Sequence, residues 1–120
     1  MNSIVTSDIP QPWDVVVVPF PYSEQLAEKR RPALVVSNAS LAAMGFLWVA
    51  MITSARRSMR EGDFPVTNLI AAKLPGPSLI RTSKIATVEP RRVLRVLGRV
   101  ADAERVSVSR SIAAFLAAAV

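Results

Sequence analysis

Val15, Val16, Val17 and Val18 follow one another without a polar break inside the segment Trp-Asp-Val-Val-Val-Val-Pro-Phe, from Trp13 to Phe20. β-Branched side chains favour an extended backbone, and successive residues of a strand face opposite sides of its sheet. Four adjacent valines therefore need apolar cover on both faces, which makes this segment a buried strand and obliges the rest of the chain to build a sheet around it. Pro19 and Pro21 end the run, because proline has no N–H to give to a ladder.

The remaining pattern supplies partners for that strand. Pro21 to Arg31 carries Ser23, Glu24, Gln25, Glu28, Lys29, Arg30 and Arg31 and reads as an exposed loop. Ala33–Ser37 is a second strand, Asn38–Gly45 a turn or single helical turn, and Phe46–Thr53 a third strand, with Phe46 and Trp48 read as core aromatics. Arg56, Arg57 and Arg60 fall in the next loop, and Asp63–Ile70 is a candidate fourth strand. The turn Pro75-Gly76-Pro77 precedes two short strand candidates, Leu79–Arg81 and Ile85–Val88. Pro90 suits the first turn of a short helix whose Val93, Leu94 and Leu97 share a face and which Gly98 terminates. Asp102 is placed to cap a last helix, with Val108, Ile112, Phe115, Leu116 and Ala119 at helical spacing and Arg105 and Arg110 turned outward. Strands first and helices last indicate a small α+β barrel, and 120 residues suit a single domain, 1–120.

Composition narrows the chemistry. Fifteen basic residues, twelve of them arginine, stand against nine acidic ones, a formal charge of +6 that suits a polyanionic partner. No cysteine is present, which excludes disulfides and thiol catalysis. No histidine is present either, which removes the usual general base and the commonest metal ligand. The carboxylates Asp14, Glu24, Glu28, Glu61, Asp63 and Glu89 are scattered without a paired acidic motif, so neither a metal site nor a cofactor is expected. Asp14, inside the first strand, reads as a structural hydrogen-bond acceptor. Met1–Pro10 lacks the pattern of a secretion signal and the longest apolar stretches are too short for a membrane span, so a cytoplasmic protein without a membrane partner is expected.

Trp13-Asp14-Val15-Val16-Val17-Val18-Pro19-Phe20-Pro21-Tyr22, followed by Lys29-Arg30-Arg31-Pro32-Ala33-Leu34-Val35-Val36-Ser37, resembles the opening of the MazF/PemK toxin family. The likeness continues through Met51-Ile52-Thr53-Ser54, Gly62-Asp63, Pro77-Ser78-Leu79-Ile80-Arg81, Lys84-Ile85-Ala86-Thr87-Val88 and Leu97-Gly98-Arg99. It implies an SH3-like β-barrel of the MazF/CcdB/Kid type with short helices and a C-terminal helix. It also implies a homodimer that cleaves single-stranded RNA or mRNA without a metal, and a cognate antitoxin that silences it.

By the same resemblance Arg31 takes the place of the family's catalytic arginine, Thr53 that of a hydroxyl residue after the third strand, and Arg81 that of a second catalytic arginine. Arginine is well suited to such work, since it stays charged and can fork two hydrogen bonds to phosphate oxygens. Arg30, Ser54, Arg56, Arg57, Ser83 and Lys84 are the candidate RNA contacts. The chain departs from some family members at Ser83, where an aspartate follows the arginine by two residues, and at Ala86, often an arginine. Two other readings stay open at this stage: a non-enzymatic gyrase poison resembling CcdB, and a catalytically inactive relative that still binds RNA or antitoxin.

Overall fold

The valine run is paired on both edges and covered on both faces. The structure, a computed structural model, describes residues 9–20, 29–56 and 58–119. In it β1 (Asp14–Phe20) lies antiparallel between β2 (Lys29–Val35) and β6 (Arg95–Arg99). β3 (Leu47–Ser54) joins β2 to β5 (Ser78–Val88), and β4 (Asp63–Pro65) adds to the far side of β5. The spatial order is β4-β5-β3-β2-β1-β6, and β4 and β6 stand at its two ends without pairing to each other. Among the described residues three helices complete an SH3-like α+β fold: α1 (Ala39–Ala43), α2 (Leu69–Ala72) and the C-terminal α3 (Asp102–Phe115).

Two apolar clusters fill the two faces. Val15, Leu34, Ala50, Ile52 and Ile80 form one with Ala72, Val100 and Val108, under α2 and α3; Val16, Val18, Ala33, Val35, Leu47, Val49 and Met51 form the other. Val15 thus enters one core and Val16 and Val18 the other, while Val17 is half-buried and belongs to neither. Asp14 is buried and accepts the backbone N–H of Gln11 at 2.7 Å, with Arg99 3.4 Å away, the structural role expected of it.

Several elements differ from the sequence reading. Lys29–Arg31 belong to β2, so the strand starts before Pro32; the rest of the expected 21–31 loop lies outside the described residues. The fourth strand stops at Pro65, because Asn68 caps α2 by accepting the N–H of Ala71 at 2.9 Å. Leu79–Arg81 and Ile85–Val88 are two halves of one strand, joined across a bulge. Pro90–Arg92 form only a 3₁₀ turn, and Leu97 and Gly98 lie in β6, where pairing with β1 overrides the helical spacing. The α3 cap position is Ala101, and Asp102 is the first helical residue, beside the positive end of the helix dipole. Arg105 turns back to donate to the Val100 carbonyl. Trp48 is 48% exposed and Phe46 is exposed as well, so neither is a core aromatic. No helix among the described residues is long and apolar enough to cross a membrane.

Candidate active site

Strand register gathers the candidate residues. Val18 pairs with Arg31, Val16 with Ala33, and Ala33 with Met51, and all of these except Arg31 are buried in the second cluster. Cross-strand partners share a face, as do residues two apart, so Arg31 projects on the side of Val18 and Ala33 but beyond the apolar cover, where it is exposed. Continuing the β2–β3 register brings Arg31 opposite Thr53, which is two residues past Met51 and partly buried. On the other side of β3, Met51 pairs with Arg81. Arg31, Thr53 and Arg81 therefore stand on one face of the sheet, at one end of it. Pro32 holds the backbone extended behind Arg31.

Arg30, by the same parity, falls on the opposite face from Arg31, paired with Pro19. Ser54 and Arg56 follow Thr53 at the surface, where the Ser54 hydroxyl accepts the Arg56 N–H at 3.3 Å. Arg57 lies outside the described residues. Ser83 and Lys84 are exposed in the bulge of β5, where pairing steps from Ile85 opposite Ala50 directly to Arg81 opposite Met51.

One partner escaped the sequence. Arg81 is the only buried arginine among the described residues, and its Nε lies 3.4 Å from Oδ1 of Asp63, also buried, which sits opposite it on β4. The other Asp63 oxygen accepts the Arg60 N–H at 3.0 Å, closing the turn that leads into β4. A carboxylate thus reaches Arg81 from β4, although the residue two along on its own strand is Ser83. Local signals hold only half of this: an aspartate three residues after Arg60 is typical turn chemistry, but its pairing with Arg81 depends on long-range register. Arg56, Ser58, Arg60, Asp63 and Arg81 together line a cleft of about 340 Å³. Among the described residues no group of three or more acidic side chains is placed to hold a metal ion.

The turn beneath the cleft is fixed from behind. The Thr82 hydroxyl donates to the Gly62 carbonyl at 2.8 Å and meets the Ser111 hydroxyl of α3 at 2.6 Å, and the Thr82 N–H also donates to Gly62. Gly62 has φ +89°, and a Cβ there would approach the Phe115 ring within 2.8 Å. Thr82→Val keeps the shape but removes the hydroxyl and strands that of Ser111. It is expected to cost about 1–2 kcal/mol, or roughly 5 °C in a thermal melt.

The family described as PemK-like, MazF-like toxin of type II toxin-antitoxin system matches residues 11–116. No curated protein sequence matches the chain. Among solved structures, a mycobacterial endoribonuclease bound to its cognate antitoxin is similar with TM-score 0.69 and 19% identity, over 88% of this chain and 92% of that one. The Mycobacterium tuberculosis toxin MazF-mt6 gives TM-score 0.66 and 18% identity over 84% and 93%. MazF from a MazE–MazF structure of Deinococcus radiodurans gives 0.71 and 18% over 92% and 98%. These likenesses concern the fold, and the family match spans nearly the whole chain: it belongs to the PemK-like, MazF-like toxins of type II toxin–antitoxin systems.

Proposed function

We propose that the protein is an endoribonuclease that cuts single-stranded RNA, mRNA included, without a metal, and so inhibits translation and growth. The observation that carries this reading is the register that sets Arg31, Thr53 and Arg81 on one face of the sheet in a family of toxins. In such a cut the RNA's 2′-oxygen bonds to the adjacent phosphorus while the bond from phosphorus to the 5′-oxygen breaks. The 2′-hydroxyl gives up its proton and the departing 5′-oxygen takes one up, with water and the substrate carrying the transfer. Negative charge grows on the phosphoryl oxygens, and a fixed guanidinium answers that charge best, so Arg31 is the principal catalytic residue. Thr53 donates its hydroxyl to the same phosphate. Arg81 is the second cationic donor, and Arg30, Ser54, Arg56, Arg57, Ser83 and Lys84 contact the strand on either side.

Two partners complete the proposal. A cognate antitoxin occludes this face, a reading supported by the similar mycobacterial endoribonuclease that is in complex with its cognate antitoxin. Exposed Met44, Trp48 and Leu116 supply apolar surface for a homodimer, which light scattering at micromolar concentration should show. The test of activity is incubation of the pure protein with a long single-stranded RNA, with and without EDTA. Equal fragmentation in both, ending in 2′,3′-cyclic phosphates, is expected. RNA left intact by folded protein would remove the ribonuclease reading, and cutting abolished by EDTA would remove its metal independence.

A further inference from the structure

Arg30 and Arg31 project on opposite faces of the sheet, so one RNA strand can meet both only by passing around the end of β2. The face on Arg30's side is the one packed under α2 and α3, and its cover is incomplete. α2 lies on β6 at Gly98, and the chain after it crosses to Ser78, which opens β5 opposite Ser54. Leu74, on that crossing, is buried with Val15, Leu34 and Ile52. One corner of the sheet stays uncovered. Val17, two residues past Val15 and so on the same face, is half-buried. So are Pro32, which pairs with it, and Pro19, which pairs with Arg30.

Three exposed cations border that apolar floor. Arg30 stands on its β2 side, and Arg95 pairs with Val17 from β6 and so shares its face. Lys73 caps α2 where the chain leaves Gly98. None of the three holds an ion pair among the described residues. The carboxylates of the neighbouring segments are engaged elsewhere: Asp14 shares the face of Val16 and pairs with Arg99, and Glu89 pairs with Arg91 in the turn before β6. Cations around an apolar floor suit a chain that alternates phosphates with flat bases. The corner also adjoins the catalytic residues. Arg30 directly precedes Arg31, and continuing the register of Ala33 with Met51 places Ser54, next to Thr53, opposite Arg30. We infer that the corner bordered by Arg30, Lys73 and Arg95 is a second stretch of the path of a bound single strand, which folds over the end of β2 from the face of Arg31 and lays its phosphates against these three cations. The identity of the strand as RNA rests on the ribonuclease reading; the backbone path itself does not.

A DNA strand tests the path directly, because it offers the same phosphates and, lacking the 2′-hydroxyl, is not cut. Oligothymidylates of about 4 and about 16 nucleotides, the limits of common single-strand site sizes, are titrated with the full chain in rising salt and followed by fluorescence anisotropy. The long strand should bind more tightly, with a salt slope steeper by about 2, from three added phosphates at about 0.7 each. Arg95→Ala and, independently, Lys73→Gln should each remove about 0.7 of that slope and weaken the long strand by about threefold to tenfold. Binding of the short strand should stay as in the parent, and Arg95→Lys should restore the long one. Long-strand binding unchanged in Arg95→Ala and Lys73→Gln overturns the path. So does an equal loss for both lengths, which would place the effect on the catalytic face or the fold. Polyglutamate binding that falls in Arg95→Ala while long-strand binding does not also overturns it, and makes the corner a docking surface for an acidic protein. Length-dependent binding that these variants lose, in a protein that cuts no RNA, leaves the path standing and removes the ribonuclease reading. RNA cut by a protein that binds both lengths alike does the reverse.

Discussion

Arg31→Ala is expected to lower the rate of RNA cleavage at saturating substrate by about a hundred to a thousandfold, equivalent to roughly 3–4 kcal/mol in the barrier. Loss of one preorganised charged donor from a developing oxyanion has that size. The fold should not register the change. Arg31 is exposed at the end of β2, past the point where Val18 and Ala33 enter the core, so its truncation opens no cavity. The neighbouring residue supplies the control, because strand parity sends Arg30 to the other face beside Pro19. Arg30→Ala should weaken RNA binding modestly and reduce the salt dependence of binding by about one unit of slope, while leaving the rate at saturation near that of the parent. Cleavage assays run beside thermal melts distinguish the two. An Arg31→Ala protein that melts normally and cuts at the parent rate would show that transition-state charge is met elsewhere, and Arg81 would then be the first residue to substitute.

The contrast between Arg30 and Arg31 also marks what could be read from sequence. The four valines could be assigned to a strand buried on both faces because the period of a strand is two and no other element explains such a run. Sequence alone leaves Arg31 as the last residue of a loop before a strand beginning at Ala33, whereas pairing with Val18 draws it inside β2, which begins at Lys29. The helix expected over Pro90–Gly98 failed because Val93, Leu94 and Leu97 have helical spacing by coincidence. Val16 and Val17 of β1 offer pairing to Val96 and Arg95, partners 80 and 78 residues away in the chain, and local periodicity carries no trace of it. The overlong fourth strand had a local remedy: Asn68 is a strong helix cap, and its signal was outweighed by the apolar residues around it. Trp48 was misplaced for a different reason. It shares a strand face with Ala50 and Ile52, but the cluster under α2 and α3 that covers those two does not include it. The Arg81–Asp63 pair was beyond reach for want of register, since the bulge at Thr82–Lys84 decides which β5 residue meets Met51 and Asp63.

Gly98 shows how far a residue's meaning can change with its element, and it yields the substitution expected to cost the fold most. As the end of a helix it would serve by adopting a left-handed backbone, and alanine would be a mild insult there. In β6 it pairs with Val15 and its missing side chain makes room for α2: a Cβ would stand 2.2 Å from the Ala71 carbonyl oxygen and 2.8 Å from the Ala72 carbonyl carbon. Both are backbone atoms, so no rotamer change relieves the clash. Either α2 lifts, which draws fully buried Ala72 out of the core and strains the Asn68 cap, or β6 retreats from β1 and breaks the pairing that covers the valine strand. Gly98→Ala is therefore expected to cost about 3 kcal/mol or more, a fall of roughly 10–15 °C in melting temperature. Gly62→Ala makes a useful comparison. Its positive φ costs about 1–2 kcal/mol for any other residue, and a Cβ would meet the Phe115 ring and the Thr82 hydroxyl, each at 2.8 Å. Both are side-chain atoms: the half-exposed Phe115 ring can swing aside, while the hydroxyl must shift within its bonds to Gly62 and Ser111, so a smaller loss than at Gly98 is expected there. Melts of both variants in one buffer decide the matter: a Gly98→Ala protein within about 2 °C of the parent would mean that α2 slides over β6 at no cost, which the complete burial of Ala72 between them forbids.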